Sequence, residues 1–164
     1  MGTPKHTCML ASGITMGAHM AALASTIADV VLTAGGAEAM HDCDMVDAVP
    51  DLVGHVGLGP LAGIEAALAS GRAERWIVLP CDMPHLTTAL LRDLRDHQHD
   101  GVVVLQGCGP LPLRINTTDL SEVTTALDMG TLAVRHLPCV RTAAEVAVSN
   151  PACLQDVDRP ADLC

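Results

Sequence analysis

Aromatic side chains are almost absent from this sequence, which contains no phenylalanine, no tyrosine and one tryptophan, Trp76. Hydrophobic residues still make up 49% of the chain, so its core must be built from Ala, Val, Leu, Ile and Met. A surface that stacks successive bases on aromatic rings is therefore excluded.

Basic residues are also scarce, because 9 Lys and Arg stand against 19 Asp and Glu, giving a formal net charge of −10. A protein that holds nucleic acid by its phosphate backbone needs clustered Lys and Arg, so we expect no nucleic-acid partner. A small phosphorylated substrate stays open, since one lysine, a helix N-terminus and a divalent cation can outweigh the global repulsion locally.

The sequence has no C-x-x-C pair, no cationic-then-apolar leader and no apolar run long enough to cross a bilayer. Its seven cysteines are an odd number, which leaves at least one unpaired within a monomer. We interpret them as reduced thiols and expect a cytoplasmic protein with no membrane association. The length predicts a single domain over residues 1–164.

Short β-branched runs alternate with stretches whose apolar residues recur at helical spacing. The runs predict buried strands at residues 29–34, 75–80 and 101–106. The other stretches predict helices at residues 61–70, 86–97, 118–127 and 131–137, with a turn at 107–112. Because strands and helices alternate, the predicted fold is α/β with a mainly parallel sheet.

A first candidate site is Gly57-Leu-Gly-Pro-Leu-Ala-Gly63, where glycines precede a predicted helix. Pro60 suits the first helical turn because its missing N–H would have no helical partner there. Free backbone amides at such a turn can face an anion or a base edge. The alternative interpretation is a turn that starts a helix and binds nothing.

A second candidate site is Leu79-Pro-Cys-Asp-Met-Pro84, directly after a predicted strand. Asp82 should project from the carboxyl end of that strand, where open α/β sheets bind ligands. One carboxylate there suits Mg²⁺, which keeps several waters and also takes substrate phosphate oxygens. The alternative is that Asp82 caps the following helix.

The motifs G-P-L-A-G-I, from Gly59, and W-I-V-L-P-C-D-M-P, from Trp76, resemble those of the molybdenum cofactor guanylyltransferases, and their spacing also fits. This resemblance implies a Rossmann-like sheet with helices on both faces. The segment L-Q-D-V-D-R-P-A-D-L near the C-terminus resembles the family's F-x-N-x-N-T-P-E-D-L, with Asp156 and Asp158 in place of the asparagines.

The opening residues Met1-Gly-Thr-Pro-Lys5 resemble the end of the family's L-A-G-G-x-S-x-R-M-G-x-x-K motif. The resemblance makes Lys5 the phosphate-binding lysine and leaves the family's first strand and glycine-rich loop out of this sequence. Three explanations stay open: a reading frame that begins upstream, another segment or subunit that fills the gap, or a degenerate relative.

The resemblance implies transfer of GMP from GTP to the molybdopterin cofactor, with release of pyrophosphate. It places the phosphates near Lys5, Mg²⁺ on Asp82, and the base near Asp51 and the turn formed by Gly59, Pro60, Leu61, Ala62 and Gly63. The attacking phosphate is already an anion, so no side-chain general base is required. Asp156 and Asp158 could lie beside molybdopterin, and transient contact with molybdoenzyme maturation proteins is expected. Surface or capping roles for the two aspartates stay open.

Two alternatives within the same fold stay open, a non-catalytic binding module and a cytidylyltransferase. Asp42-Cys-Asp-Met-Val46 fits the D-x-D-x-V spacing of aspartyl-phosphate phosphatases, but no buried strand precedes it. The run from Asp96 to Asp100 contains two histidines, and we interpret it as a solvated helix end instead of a metal site. Met9, Met16 and Met20 are expected to fill an aliphatic core.

Overall fold

The structure is a computed structural model that describes residues 5–34 and 46–157. Its α-helices are α1 (Met16–Ser25), α2 (Pro60–Ala69), α3 (Thr88–Asp96), α4 (Leu120–Asp128) and α5 (Pro138–Arg141). Its strands are β1 (Leu32–Ala34), β2 (Asp47–Val49), β3 (Arg75–Val78), β4 (Val103–Leu105), β5 (Leu113–Asn116) and β6 (Ala144–Val146). Short 3-10 helices lie at Lys5–Thr7, Thr117–Asp119, Val134–His136 and Pro151–Leu154.

The described strands form two sheets. β1 and β2 make a parallel pair. The larger sheet has the order β3-β5-β4-β6, in which β4 and β6 are parallel and β5 is antiparallel to both of its neighbours. The predicted α/β class is confirmed, but the expectation of a mainly parallel sheet needs correction, since two of the four pairs among the described strands are antiparallel.

Strand β5 makes the larger sheet mixed instead of parallel, and the sequence analysis did not predict this strand. The predicted turn at residues 107–112 is present and leads from β4 straight into β5. A short turn can join only antiparallel strands, because parallel neighbours need a longer crossover. Leu113 and Ile115 of β5 are fully buried, which fixes the strand in the centre of the sheet.

Helices cover both faces of the larger sheet, as predicted. Successive residues of a strand point to opposite sides, so an apolar strand needs a helix packed against each face. Val104 joins a core cluster with residues of α2 and α4 on one side. Its neighbour Val103 faces the other side and packs with Met20 of α1 and residues of α3. Two apolar clusters therefore hold the sheet between two helical layers.

Most of the other predicted elements are present, and they are shorter than predicted except for α2, which is shifted by one residue. The predicted strands correspond to β1, β3 and β4, and three of the predicted helices correspond to α2, α3 and α4. The fourth predicted helix, at residues 131–137, contains only the 3-10 turn Val134–His136. The hydrogen-bonded part of each strand is shorter than its apolar run.

Helix α1 was not predicted, because its residues are mostly small and show little helical periodicity. Thr15 starts it by accepting a hydrogen bond from the N–H of Ala18. Met16 and Met20 of α1 are buried, as expected, but Met9 is 56% exposed, which corrects its predicted core role. Met9 precedes the helix in a bridge with Thr15 and so lies off the buried face.

The remaining expectations divide between described and undescribed residues. Five cysteines fall within the described ranges, and all five are free thiols. None of the described helices has the length and hydropathy needed to cross a bilayer. Asp96 pairs with Arg95 at 2.7 Å, and the described residues contain no cluster of three metal ligands. The phosphatase-like pattern falls on residues 42–46, of which 42–45 lie outside the described residues.

Candidate active site

Asp82 lies just beyond the carboxyl end of β3, the position that the sequence predicted for it. The N–H of Val157 donates to the backbone carbonyl of Asp82 at 2.7 Å, which ties this loop to the segment before the C-terminus. Helix α3, the next helix along the chain, is capped by Thr87, whose hydroxyl accepts from the N–H of Leu90 at 3.3 Å. Asp82 therefore does not cap α3, and that alternative interpretation is wrong.

Lys5 brings its ammonium group to Asp82, with 2.8 Å between Nζ and Oδ2. The 3-10 helix that carries Lys5 packs against α1. His19 of α1 contacts the carbonyl oxygen of Pro84 through Nε2 at 2.9 Å, so α1 and the Asp82 loop are tied at a second point. The two charged side chains are 27% and 25% exposed, which leaves them accessible to a ligand but partly shielded from water.

A weakly acidic thiol lies next to the Asp82 loop. Cys108 donates its S–H to the carbonyl of Leu111 at 3.1 Å and contacts the sulfur of Met83. Burial raises the pKa of the Cys108 thiol to about 11, so the thiol is neutral at physiological pH. Since the thiolate is the nucleophilic form, Cys108 is a weak nucleophile at that pH and serves as a packing contact of this loop.

The predicted glycine turn begins α2. Gly59 precedes the helix with φ at +81°, a conformation that suits glycine, and Pro60 occupies the first turn as predicted. Both residues are exposed, whereas Leu61 and Ala62 are fully buried. The amides of Ala62 and Gly63 already donate to the carbonyl of Gly59. Within residues 59–63, the exposed positions are therefore the first two.

Gly63 has a packing role that the sequence analysis did not identify. A Cβ atom placed on it would lie 2.9 Å from the Cβ of Ala34 at the end of β1. The missing side chain therefore lets α2 approach β1 closely. This close approach joins the helix of the first motif to the smaller sheet.

Asp51 follows β2 and shapes the loop that leads to α2. Its Oδ2 accepts a hydrogen bond from the N–H of Gly57 at 2.9 Å. Its Oδ1 is buried and accepts no hydrogen bond from any residue that the structure describes. A buried carboxylate oxygen without a donor costs free energy, so Asp51 has unused capacity to accept an N–H group.

A polar network beside this loop was missed by the sequence analysis. His55 contacts Glu65 of α2 through Nδ1 at 2.7 Å and Asp128 of α4 through Nε2 at 3.2 Å. Thr124 of α4 donates its hydroxyl to Glu65 at 2.6 Å. Glu65 is 1% exposed and is the only charged residue in α2. Glu65 itself was the sequence signal for this network, because a single carboxylate buried in an apolar helix needs polar partners.

The segment before the C-terminus reaches the Asp82 loop. Val157 is buried and makes the hydrogen bond to Asp82 described above, while Asp156 beside it is exposed. Asp158 lies outside the described residues. The structure thus brings the motif that contains Asp156 next to the loop of the second candidate site.

The predicted site residues fall into two groups. Lys5 and Asp82 meet directly, although 77 positions separate them in the sequence. Asp51 lies with the glycine turn, through its hydrogen bond to Gly57. Among the described residues, no hydrogen bond joins Asp82 to Asp51. Helix α2 contacts β1, β2 and β3, so it packs between the strands that lead to each group.

Solved structures share this fold. Molybdopterin-guanine dinucleotide biosynthesis protein A from Archaeoglobus fulgidus superposes with a TM-score of 0.77 at 21% identity, covering 99% of this chain and 88% of that one. The 2-C-methyl-D-erythritol 4-phosphate cytidylyltransferase from Thermus thermophilus gives 0.76 at 17% identity, covering 98% and 90%. At these identities the similarity shows the fold alone, and it agrees with the Rossmann-like fold that the sequence resemblance implied.

The family follows from the sequence match. Residues 1–148 match the model described as the MobA-like NTP transferase domain, and the chain belongs to this family. The molybdenum cofactor guanylyltransferase of Pseudomonas aeruginosa (strain LESB58) is 34% identical over 111 residues, which are 57% of this chain and 51% of that protein. The chain spans about half or less of the length of the curated relatives it matches.

Proposed function

We propose that this chain transfers GMP from GTP to the molybdopterin cofactor, with release of pyrophosphate. Its family supports nucleotidyl transfer, and the curated relatives named above are molybdenum cofactor guanylyltransferases. The observation that carries the proposal is the pairing of Lys5 with Asp82 at the carboxyl end of β3. This is the edge at which open α/β sheets bind their ligands.

Lys5 and Asp82 each have a complementary task toward a nucleotide. The ammonium of Lys5 is a point charge suited to the phosphates, where charge builds up on the departing pyrophosphate. Without nucleotide it neutralises the Asp82 carboxylate at 2.8 Å. A triphosphate offers Lys5 a more highly charged partner, so nucleotide binding would release Asp82 to act as a metal ligand.

The residues around Asp82 fit a divalent cation such as Mg²⁺. Lys5 contacts Oδ2 of this partly exposed carboxylate, and the described residues hold no cluster of three ligands that would form a closed metal cage. Mg²⁺ suits such a place because it takes one or two carboxylates together with waters and phosphate oxygens. When bound there, the cation would neutralise charge on the triphosphate.

Asp51 is the group that favours guanine as the base of the bound nucleotide. A carboxylate only accepts hydrogen bonds, and guanine presents two adjacent N–H donors on its Watson–Crick edge. One oxygen of Asp51 is already held by Gly57, and the buried Oδ1 has no donor among the described residues. An N–H group of the base that reached Oδ1 would remove the cost of this unpaired oxygen.

The reaction needs alignment more than proton transfer. A phosphate oxygen of molybdopterin forms a bond to the α-phosphorus of GTP, and the bond from that phosphorus to the pyrophosphate oxygen breaks. The nucleophile is already an anion, so Lys5 and Asp82 contribute charge balance and position. Asp156 is exposed beside the Asp82 loop, and this position supports an approach of the second substrate from that side.

Calorimetric titration of the chain with GTP and Mg²⁺ tests the proposal. We expect binding that is abolished by Asp82→Ala and retained by Asp93→Ala, which removes an exposed carboxylate of α3. Circular dichroism would check that both variants are folded. Absence of GTP binding by the folded chain would refute the proposal and favour the non-catalytic module.

Titration with CTP separates the remaining alternative. The cytidylyltransferase from Thermus thermophilus shares the fold, so the fold does not select the base. A preference for CTP over GTP would identify a cytidylyltransferase relative and would contradict the role given to Asp51.

A further inference from the structure

The loop at residues 51–58 contacts the apolar core through Leu58 at its end, but the rest of the loop has little apolar contact to hold it in place. Leu52, Val53 and Val56 are exposed to solvent, and the exposed fraction of Val53 reaches 101%. Two backbone hydrogen bonds within the loop, from His55 to Leu52 and from Leu58 to His55, shape it without attaching it to a neighbouring element. Ahead of Leu58, the position of the loop against the helices therefore depends mainly on polar contacts.

His55 supplies those contacts on both sides of its ring. Its Nδ1 lies 2.7 Å from Oε2 of Glu65 and its Nε2 lies 3.2 Å from Oδ1 of Asp128. Glu65 cannot easily move, because it is buried in α2 and its other oxygen accepts from Thr124. The ring thus attaches the loop to α2 at a buried point and to α4 at an exposed one.

The imidazolium form fits this geometry best. Each ring nitrogen faces a carboxylate oxygen, and only the protonated ring donates from both nitrogens. The hydrogen bond to Glu65, followed by that to Asp128, raises the pKa of His55 above its ordinary value of 6.5. In the described structure, Glu65 on α2 and Asp128 at the end of α4 are the titratable groups that contact the ring.

We infer that His55 is a positioning residue that fixes the loop so that Asp51 can select a guanine base. This inference rests on the proposed function, since it assigns His55 to the base-recognition part of the same site. His55 and Asp51 belong to one loop, and the hydrogen bond from the N–H of Gly57 to Oδ2 of Asp51 closes that loop around His55. Removing the contacts of the His55 ring should therefore weaken the preference for guanine over adenine and leave phosphate binding unchanged.

The test compares GTP with ATP, because adenine presents one N–H donor beside an acceptor nitrogen where guanine presents two adjacent donors. Dissociation constants for both nucleotides with Mg²⁺ would be measured by calorimetry for the wild type, His55→Gln and His136→Gln. One hydrogen bond from the base to the charged carboxylate gives roughly 10- to 150-fold discrimination, so we expect the wild type to prefer GTP by that order. His136 is exposed and serves as the matched control.

We expect His55→Gln to lower the preference for GTP by roughly fivefold or more, while ATP binding changes little. His136→Gln should keep the wild-type preference. A purely structural role for His55 would lower the melting temperature without changing the ratio of the two dissociation constants, and that result would overturn the inference. Equal binding of GTP and ATP by the wild type would instead refute the proposed function.

A pH series gives a second readout. The folded pKa of His55 is raised, so the ring keeps its proton below that value and loses it as the pH rises through it. The wild-type preference for GTP should fall over that interval, and the preference of His55→Gln should not depend on pH. Asp128→Asn, at an exposed position, should shift the loss to lower pH. An unchanged midpoint in Asp128→Asn would contradict the inference even if His55→Gln failed to fold.

Discussion

Gly63 offers the most direct test of how α2 is placed beside the smaller sheet. An added Cβ would lie 2.9 Å from Cβ of Ala34 and 3.5 Å from its carbonyl carbon. Carbon atoms in ordinary contact are about 3.5–4.0 Å apart, so Gly63→Ala would push the helix and strand apart by several tenths of an ångström. Such overpacking costs about 1 to 3 kcal/mol.

An opposing effect must be separated from this clash. Alanine stabilises a helix interior by about 1 kcal/mol relative to glycine. The net change for Gly63→Ala is therefore about 0 to 2 kcal/mol of destabilisation, which is difficult to interpret alone. A double-mutant cycle with Ala34→Gly removes the clashing Cβ and leaves the helix-propensity gain in place.

The assay is urea unfolding followed by circular dichroism for the wild type, the two single variants and the double variant. In the Ala34→Gly background, Gly63→Ala should be neutral or stabilising, which gives a coupling energy of about 1 to 3 kcal/mol. A coupling energy near zero would show that α2 does not depend on the missing side chain. The GTP affinity of the double variant would then show whether Gly63 also has a ligand role.

Two further predictions concern buried groups near the larger sheet. Arg114, which is fully buried in β5, donates to four backbone carbonyls, those of Arg95, His97, His99 and Gly101. Arg114→Met should lower the free energy of unfolding in urea by about 3 to 5 kcal/mol, at roughly 1 kcal/mol for each carbonyl left without a donor. Arg75→Met, at an exposed site, should change it by no more than about 0.5 kcal/mol, and equal effects would contradict this account. Burial raises the pKa of the Cys108 thiol from 9.0 to about 11. The contribution of the neutral, buried thiol to folding stability is therefore present below pH 9 and is lost as the pH rises toward 11. Iodoacetamide labelling followed by mass spectrometry at pH 9 should modify the exposed Cys81 before Cys108, and the reverse order would refute the burial argument.

The sequence indicated which segments contain the candidate site residues, because the relevant signals are local. A buried run followed by P-C-D-M-P placed Asp82 beyond a strand, and G-P-L-A-G placed Pro60 in the first turn of a helix. These positions follow from backbone conformation and hydrogen-bonding capacity over a few residues. The family was predicted from the same two motifs and is confirmed by the match over residues 1–148.

The direction of β5 and the burial of Glu65 could not be predicted in the same way. A short run such as Leu113–Asn116 has too few residues to show a period, and its antiparallel pairing depends on the neighbouring strands. Glu65 stands in an apolar helix, but its partners come from a loop and from α4. Which side chains meet across such sequence distances is decided by packing.

Residue order alone thus determined the α/β class, the strand end that carries Asp82 and the glycine turn before α2. The tertiary structure alone decided that Lys5 reaches Asp82 across 77 positions and that His55 joins two helices to one loop. The physical reason is that local conformation depends on neighbours in the chain. An ion pair or a buried network forms only where the folded core brings distant segments close enough to offset the entropy of ordering them.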